Sequence, residues 1–128
     1  MQKATIAEYV ELVNRYMNEG HTDGLPVIPP YREAVDAMVE AGGRPAGEVL
    51  GKVPPRNVPL TVETLAINAV MAGCLPEYMP VLLALMEAVL APEFNLVWPS
   101  STTKGVAPLV IINGPVRKKL NINCQGNV

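Results

Sequence analysis

Cys74 is the residue whose surroundings most resemble a reactive centre. It lies between two apolar stretches and just before Pro76-Glu77. If a helix begins there, its N-terminal dipole favours a thiolate, and Glu77 would carry a proton or repel the anion. The competing account is a small buried residue in a tight turn, because free cysteine is among the most buried residue types. His21 and Asp23 flank the turn that opens a proline-rich segment, and such a pair can do general acid–base work. A histidine beside a helix stop also serves simply to hydrogen-bond a terminal carbonyl.

A third group is cationic and hydroxylated. Ser100, Ser101, Thr102, Thr103 and Lys104 precede Gly105, and Asn113-Gly114-Pro115 opens a segment carrying Arg117, Lys118 and Lys119. Small-residue loops and helix N-termini bind anions through backbone donors. The GxxxxGK[ST] order of a P-loop is missing. The first 93 residues hold twelve acids and six bases, and the last 35 hold four bases and no acid. This asymmetry suits an edge that takes a small anionic molecule, against the simpler reading of a solvated basic end. Nucleic acid is not an expected partner, since basic residues interleaved with aromatics are lacking and acids outnumber bases. The cysteines show neither zinc nor disulfide-framework spacing, and Met71, Met79 and Met86 have no Cys/His partners for copper, so no metal site is read and no cofactor is assigned.

The elements that must position these residues follow from periodicity. A single domain over 1–128 is expected, helix-dominated α/β, with four main helices at 5–19, 30–41, 61–72 and 78–91. Short strands near 25–28, 48–53, 94–98 and 107–112 would form a small sheet. Thr5 and Glu8 make a capping box ahead of an amphipathic stripe of Ile6, Tyr9, Val10, Val13, Tyr16 and Met17. Gly20 stops that helix. Prolines at 26, 29 and 30 restrict residues 25–28 to an edge strand or a polyproline segment. Residues 44–60 read as a connector with one strand candidate. The helices at 61–72 and 78–91 are apolar on nearly all sides and need cover on nearly all sides. Asn68, alone on the first of them, reads as a satisfied core amide or a ligand-orienting group. The β-branched run 109–112 reads as a buried strand.

Four segments in order carry a family resemblance: DGLPVIPP at 23–30, VLGKVPP at 49–55, TVETLAINAVMAGCLPEYMPV at 61–81 and APLVIINGP at 107–115. The chain resembles the N-terminal part of an uncharacterised bacterial family with the signature DGLPV-PP … INAVMAGC-PEY … PLVI-NGP. Some members are encoded beside small thiol or selenol proteins with a UGSC motif. The resemblance implies an enzyme or enzyme subunit with thiol-linked chemistry. It also implies a longer natural chain, because members continue past this point through a Gly-rich segment.

Two functional classes emerge. One is a subunit or fragment of a bacterial metabolic enzyme acting on a small anionic or thiol-bearing substrate, with Cys74, Glu77, His21 and Asp23 as its chemistry and Ser101, Thr102, Thr103, Lys104, Asn113 and Gly114 as its binding edge. The other is a non-catalytic interaction or oligomerisation domain that uses the apolar hairpin 61–91. Clustering of Cys74, Asp23, Lys104 and Asn113 around one hollow would favour the first, and their dispersal the second. A homo-oligomer is expected in either case. A cytoplasmic location is also expected, since no signal-peptide pattern opens the chain, and the longest apolar stretch contains Glu87 and is too short to span a bilayer. Both thiols should be free: titration under denaturing, non-reducing conditions should count two per chain, and a Cys74–Cys124 bridge would overturn the assignment.

Overall fold

The computed structural model describes residues 5–124 and 126. It is helix-dominated α/β, as the periodicity predicts: α1 (Ile6–Asn18), α2 (Arg32–Gly42), α3 (Val62–Met71), α4 (Met79–Leu90) and two short helices, α5 (Val97–Ser101) and α6 (Pro115–Lys119), with a two-stranded antiparallel sheet of β1 (Val49–Val53) and β2 (Val58–Thr61). The Thr5–Glu8 capping box forms, with the Thr5 N–H donating to Glu8 Oε2 at 2.6 Å and the Glu8 N–H to Thr5 Oγ1 at 3.3 Å. Thr61 caps α3 through the Thr64 N–H at 3.1 Å.

The core lies where α2, α3, α4 and β1 meet. Val35 and Met38 come from α2, Val62, Ala66, Ala69 and Val70 from α3, and Met79 and Leu83 from α4. Met38, Met79 and Val62 are fully enclosed, each contributing about 1.5–3 kcal/mol of apolar burial. Gly51 on β1 lets the sheet approach α4, since a Cβ there would sit 3.0 Å from Leu90 Cδ1. By contrast, α1 contributes no buried residue. It is tied to the loop below it by Tyr9 Oη, which donates to the Val27 carbonyl at 3.0 Å.

Three of the expected strands do not form. Residues 25–28 carry no ladder. Prolines remove donors there, and the Ile28 N–H donating to the Met71 carbonyl at 3.1 Å holds the segment instead. Residues 94–98 fall in a 3₁₀ turn (Pro92–Phe94), a left-handed Asn95 (φ 51°) and the start of α5. Residues 107–112 have neither helix, turn nor bend, and no described backbone partner. The strand at 48–53 does form, and its partner β2 emerges from the supposed connector. Its register pairs Val49 with Thr61, Gly51 with Leu60, Lys52 with Pro59 and Val53 with Val58. Pro59 argues against a strand in general, yet it is tolerated here because both strands of a two-stranded sheet are edges.

Arg44 locks the junction of α2, β1 and α4. Its Nε donates to Glu48 Oε2 at 3.1 Å, its Nη2 to Glu48 Oε1 at 2.6 Å, and its Nη1 to Glu87 Oε1 on α4. These bonds hold the Glu48 carboxyl below its ordinary range, the hydrogen bonds from Arg44 being the largest cause, and push the Arg44 guanidinium further up. A depressed carboxylate stabilises the fold above its unfolded pKa and loses that contribution as pH falls through the folded one. Arg44→Met should therefore lower Tm at neutral pH and flatten the fall in Tm through the acidic carboxylate range. An Arg44→Met curve parallel to wild type down to pH 3 would remove this coupling.

Candidate functional site

Cys74 and His21, two of the candidate catalytic side chains, occupy the same structural position in two different helix ends. At the end of α3, Gly73 is left-handed (φ 82°) and donates its N–H to the Val70 carbonyl at 2.9 Å, while the Cys74 N–H reaches the Ala69 carbonyl at 2.9 Å. At the end of α1, Gly20 is left-handed (φ 76°), its N–H bonds the Met17 carbonyl at 3.1 Å, and the His21 N–H bonds the Tyr16 carbonyl at 2.8 Å. Both are Schellman caps, in which the residue after the left-handed one packs back onto the helix. The His21 ring does so edge-on to Tyr16, with centroids 5.9 Å apart. Cys74 does so by packing half-buried against the core.

The two candidate acid–base partners face elsewhere. His21 Nε2 lies 3.6 Å from Glu19 Oε2. Asp23 Oδ1 accepts the Leu25 N–H at 3.2 Å, and Thr22 Oγ1 accepts the Gly24 N–H at 3.3 Å and donates to the Leu25 carbonyl at 3.1 Å. Asp23 thus closes its own turn. Glu77 is exposed in the 3₁₀ turn Pro76–Tyr78 that leads into α4. Asn68 is an exposed residue and no core amide, its Nδ2 donating to the Thr64 carbonyl at 2.8 Å.

The hydroxyl-rich loop is largely spent on its own backbone. Ser100 and Ser101 lie in α5 and donate their hydroxyls to the Val97 carbonyl at 3.0 and 2.6 Å, and Thr102 Oγ1 accepts the Lys104 N–H at 3.2 Å. Thr103 and the Lys104 ammonium project into solvent with no described partner. Asn113 and Gly114 precede α6, with Gly114 at a positive φ of 81° and ψ −164°. On α6, Arg117 Nη1 points at Cys124 Sγ.

Two hollows reach Cys74. One, of about 240 Å³, lies among Ile28, Met38, Val70, Leu75 and Pro76; the other, of about 330 Å³, among Tyr78, Leu82, Ile112, Leu120 and Asn121. Their walls are mainly apolar, and neither includes His21, Asp23, Lys104 or Asn113. Ile112 brings the chain beside the second hollow, but the Asn113 amide is not part of its wall. Among the described residues, no three His, Cys, Asp or Glu side chains converge as metal ligands, and no helix is long and apolar enough to cross a membrane.

What the sequence pattern conceals is an exposed apolar ridge. Residues 108–112 lie over the outer face of α4 and enclose with Val81, Ala84, Leu85, Ala88 and Val89 a groove of about 410 Å³. The ridge turns its other side outward, leaving Leu109 85% and Ile111 76% exposed. A continuous apolar run reads as buried on both faces, yet here every residue from 106 to 111 is exposed. No protein-family model matches the chain, and neither a curated protein nor a solved structure matches it. The thiols differ in access, Cys74 being half-buried and Cys124 exposed. In the native protein Cys124 should react with a thiol reagent first, with Cys74 slower by on the order of tenfold. Equal rates would show that Cys74 is open to solvent.

Proposed function

We propose that this chain is a protein-interaction and oligomerisation domain whose contact surface is the apolar ridge 106–112 laid over α4. The observation that carries this reading is the contrast between two surfaces. The side chains that an enzyme would gather lie apart from one another, several of them engaged in helix caps and turns, whereas a run of large apolar side chains stands in solvent. Val106 and Val110 add to Leu109 and Ile111, and monomers rarely expose contiguous apolar patches of more than a few hundred Å². The backbone of residues 107–113 adds a row of donors and acceptors with no described partner.

The apolar hairpin contributes differently from the sequence expectation. One side of α4 is covered by α2, α3 and β1, and its other side opens on the groove beneath the ridge, with Ala84 and Ala88 exposed. The surface in need of a partner therefore runs from the outer side of α4 onto the ridge. A homo-oligomer accounts for that surface without a second gene product. The two unpaired thiols support a reducing, cytoplasmic setting. The enzyme reading would need polar groups in the hollows at Cys74, where the lining is mainly aliphatic and aromatic.

Sedimentation equilibrium at micromolar concentration tests the proposal. The wild-type chain should run heavier than 13.7 kDa, and Leu109→Lys with Ile111→Lys should return it to monomer with an unchanged far-ultraviolet spectrum. A wild-type mass of 13.7 kDa at every concentration would sink the reading.

A further inference from the structure

A second apolar surface lies at the opposite end of the sequence. Between α1 and the proline segment that leads into α2 is a hollow of about 640 Å³, walled by Glu8, Tyr9, Glu11, Leu12 and Arg15 of α1 and by Pro29 and Tyr31. Its floor is aliphatic and aromatic, from Leu12, Pro29 and the two tyrosine rings. Its rim carries two carboxylates against one guanidinium, and Arg15 leans over the Tyr16 ring, 5.9 Å from its centroid. α1 buries no residue of its own, and the fold leaves this hollow unfilled.

The ridge is apolar like the hollow's floor and opposite to its rim in charge. Leu109 and Ile111 are two positions apart on a stretch without bends, so both project to the same side. Lys104 flanks the ridge on one side and Arg117, Lys118 and Lys119 on the other, with no acid after Glu93. Lys104, Lys118 and Lys119 take part in no described ion pair. We propose that the ridge of one copy docks into the Glu8/Glu11-rimmed hollow of a second copy, and that the exchange is reciprocal about a two-fold axis. This rests on the interaction reading above and names the surface that receives the ridge.

The charge pattern selects this arrangement over the obvious rival. Pairing the ridge with the same ridge across a two-fold would set Lys104 of one copy near the basic helix of the other, and like charges brought together oppose association. Docking on the acidic hollow replaces that repulsion with attraction. Reciprocity matters because a single head-to-tail contact would propagate into open chains, whereas two equivalent contacts close at the dimer.

The test is a charge exchange in the full chain. Glu8→Gln with Glu11→Lys reverses the rim and keeps the capping box, since glutamine can reach back to the Thr5 N–H as glutamate does. Lys104→Glu, Lys118→Glu and Lys119→Glu reverse the ridge flanks. Each variant alone should dissociate at least about tenfold more readily than wild type, and an equimolar mixture should recover the dimer, because both contacts in the mixed pair are complementary. Zero-length carbodiimide cross-linking of mixed heavy- and light-isotope chains gives an independent readout. It should join Glu11 of one chain to Lys104, Lys118 or Lys119 of the other. A wild-type dimer that is lost on Leu109→Lys and Ile111→Lys but indifferent to both charge sets would overturn this docking and leave the ridge reading standing. Failure of the mixture to recover the dimer, or cross-links confined to one chain, would overturn it too. A wild-type monomer would remove both proposals.

Discussion

The structure depends on covering the inner side of α4. Met79 and Leu83 turn inward, and Val81, Leu85 and Val89 turn the other way, toward the groove beneath the ridge. With no polar stripe to give to solvent, the helix needs cover on both faces. The inner cover is tight: Met79 is fully enclosed, and a Cβ at Gly51 of β1 would sit 3.0 Å from Leu90 Cδ1 of α4, so a side chain there would have to displace Leu90. Arg44 then fixes the angle, reaching from the end of α2 to Glu48 beside β1 and to Glu87 on α4. One guanidinium thus ties three elements with charge-assisted bonds whose geometry a lysine would not reproduce.

The outer side has a different character. A second sheet or helix would have satisfied its own backbone while covering α4. The segment 106–112 brings only its side chains, and among described residues its backbone from 107 to 113 bonds to nothing. An exposed backbone can be hydrated, but the large apolar side chains on the outer side cannot gain from water. The outer side of α4 and the ridge above it thus present one exposed apolar surface.

The parts of this arrangement that were legible in the sequence are those set by local rules. The four long helices follow from period and caps, and the Thr5–Glu8 box, the Gly20 stop and the Thr61 cap all act within a few residues of themselves. The strands were less legible because a strand is defined by its partner. Val58–Thr61 pairs despite Pro59, because the ladder has only edges. Residues 107–112 have strand composition and no ladder, because they lie over a helix. The candidate site follows the same division. Cys74 and His21 stand out by type, but a left-handed glycine just before each of them marks a Schellman cap. Gly20-His21 and Gly73-Cys74 carry that signal in the sequence, and the turn chemistry explains both residues. The exposed ridge carried no such signal, since a buried run and an exposed one can have the same apolar composition.

The distribution of charge bears on why α1 is present at all. A helix that buries no residue gives the core little in return for the entropy of ordering it. Its cap and its tyrosine hydrogen bond hold it, and the hollow it forms with Pro29 and Tyr31 stands open. At the other end, the ridge likewise places apolar side chains where they gain nothing alone. Two surfaces that are each unprofitable in the monomer are apolar at their centres and rimmed with opposite charge. Joining them would relieve both at once, and the energetic case for α1 then lies in the contact it offers another chain.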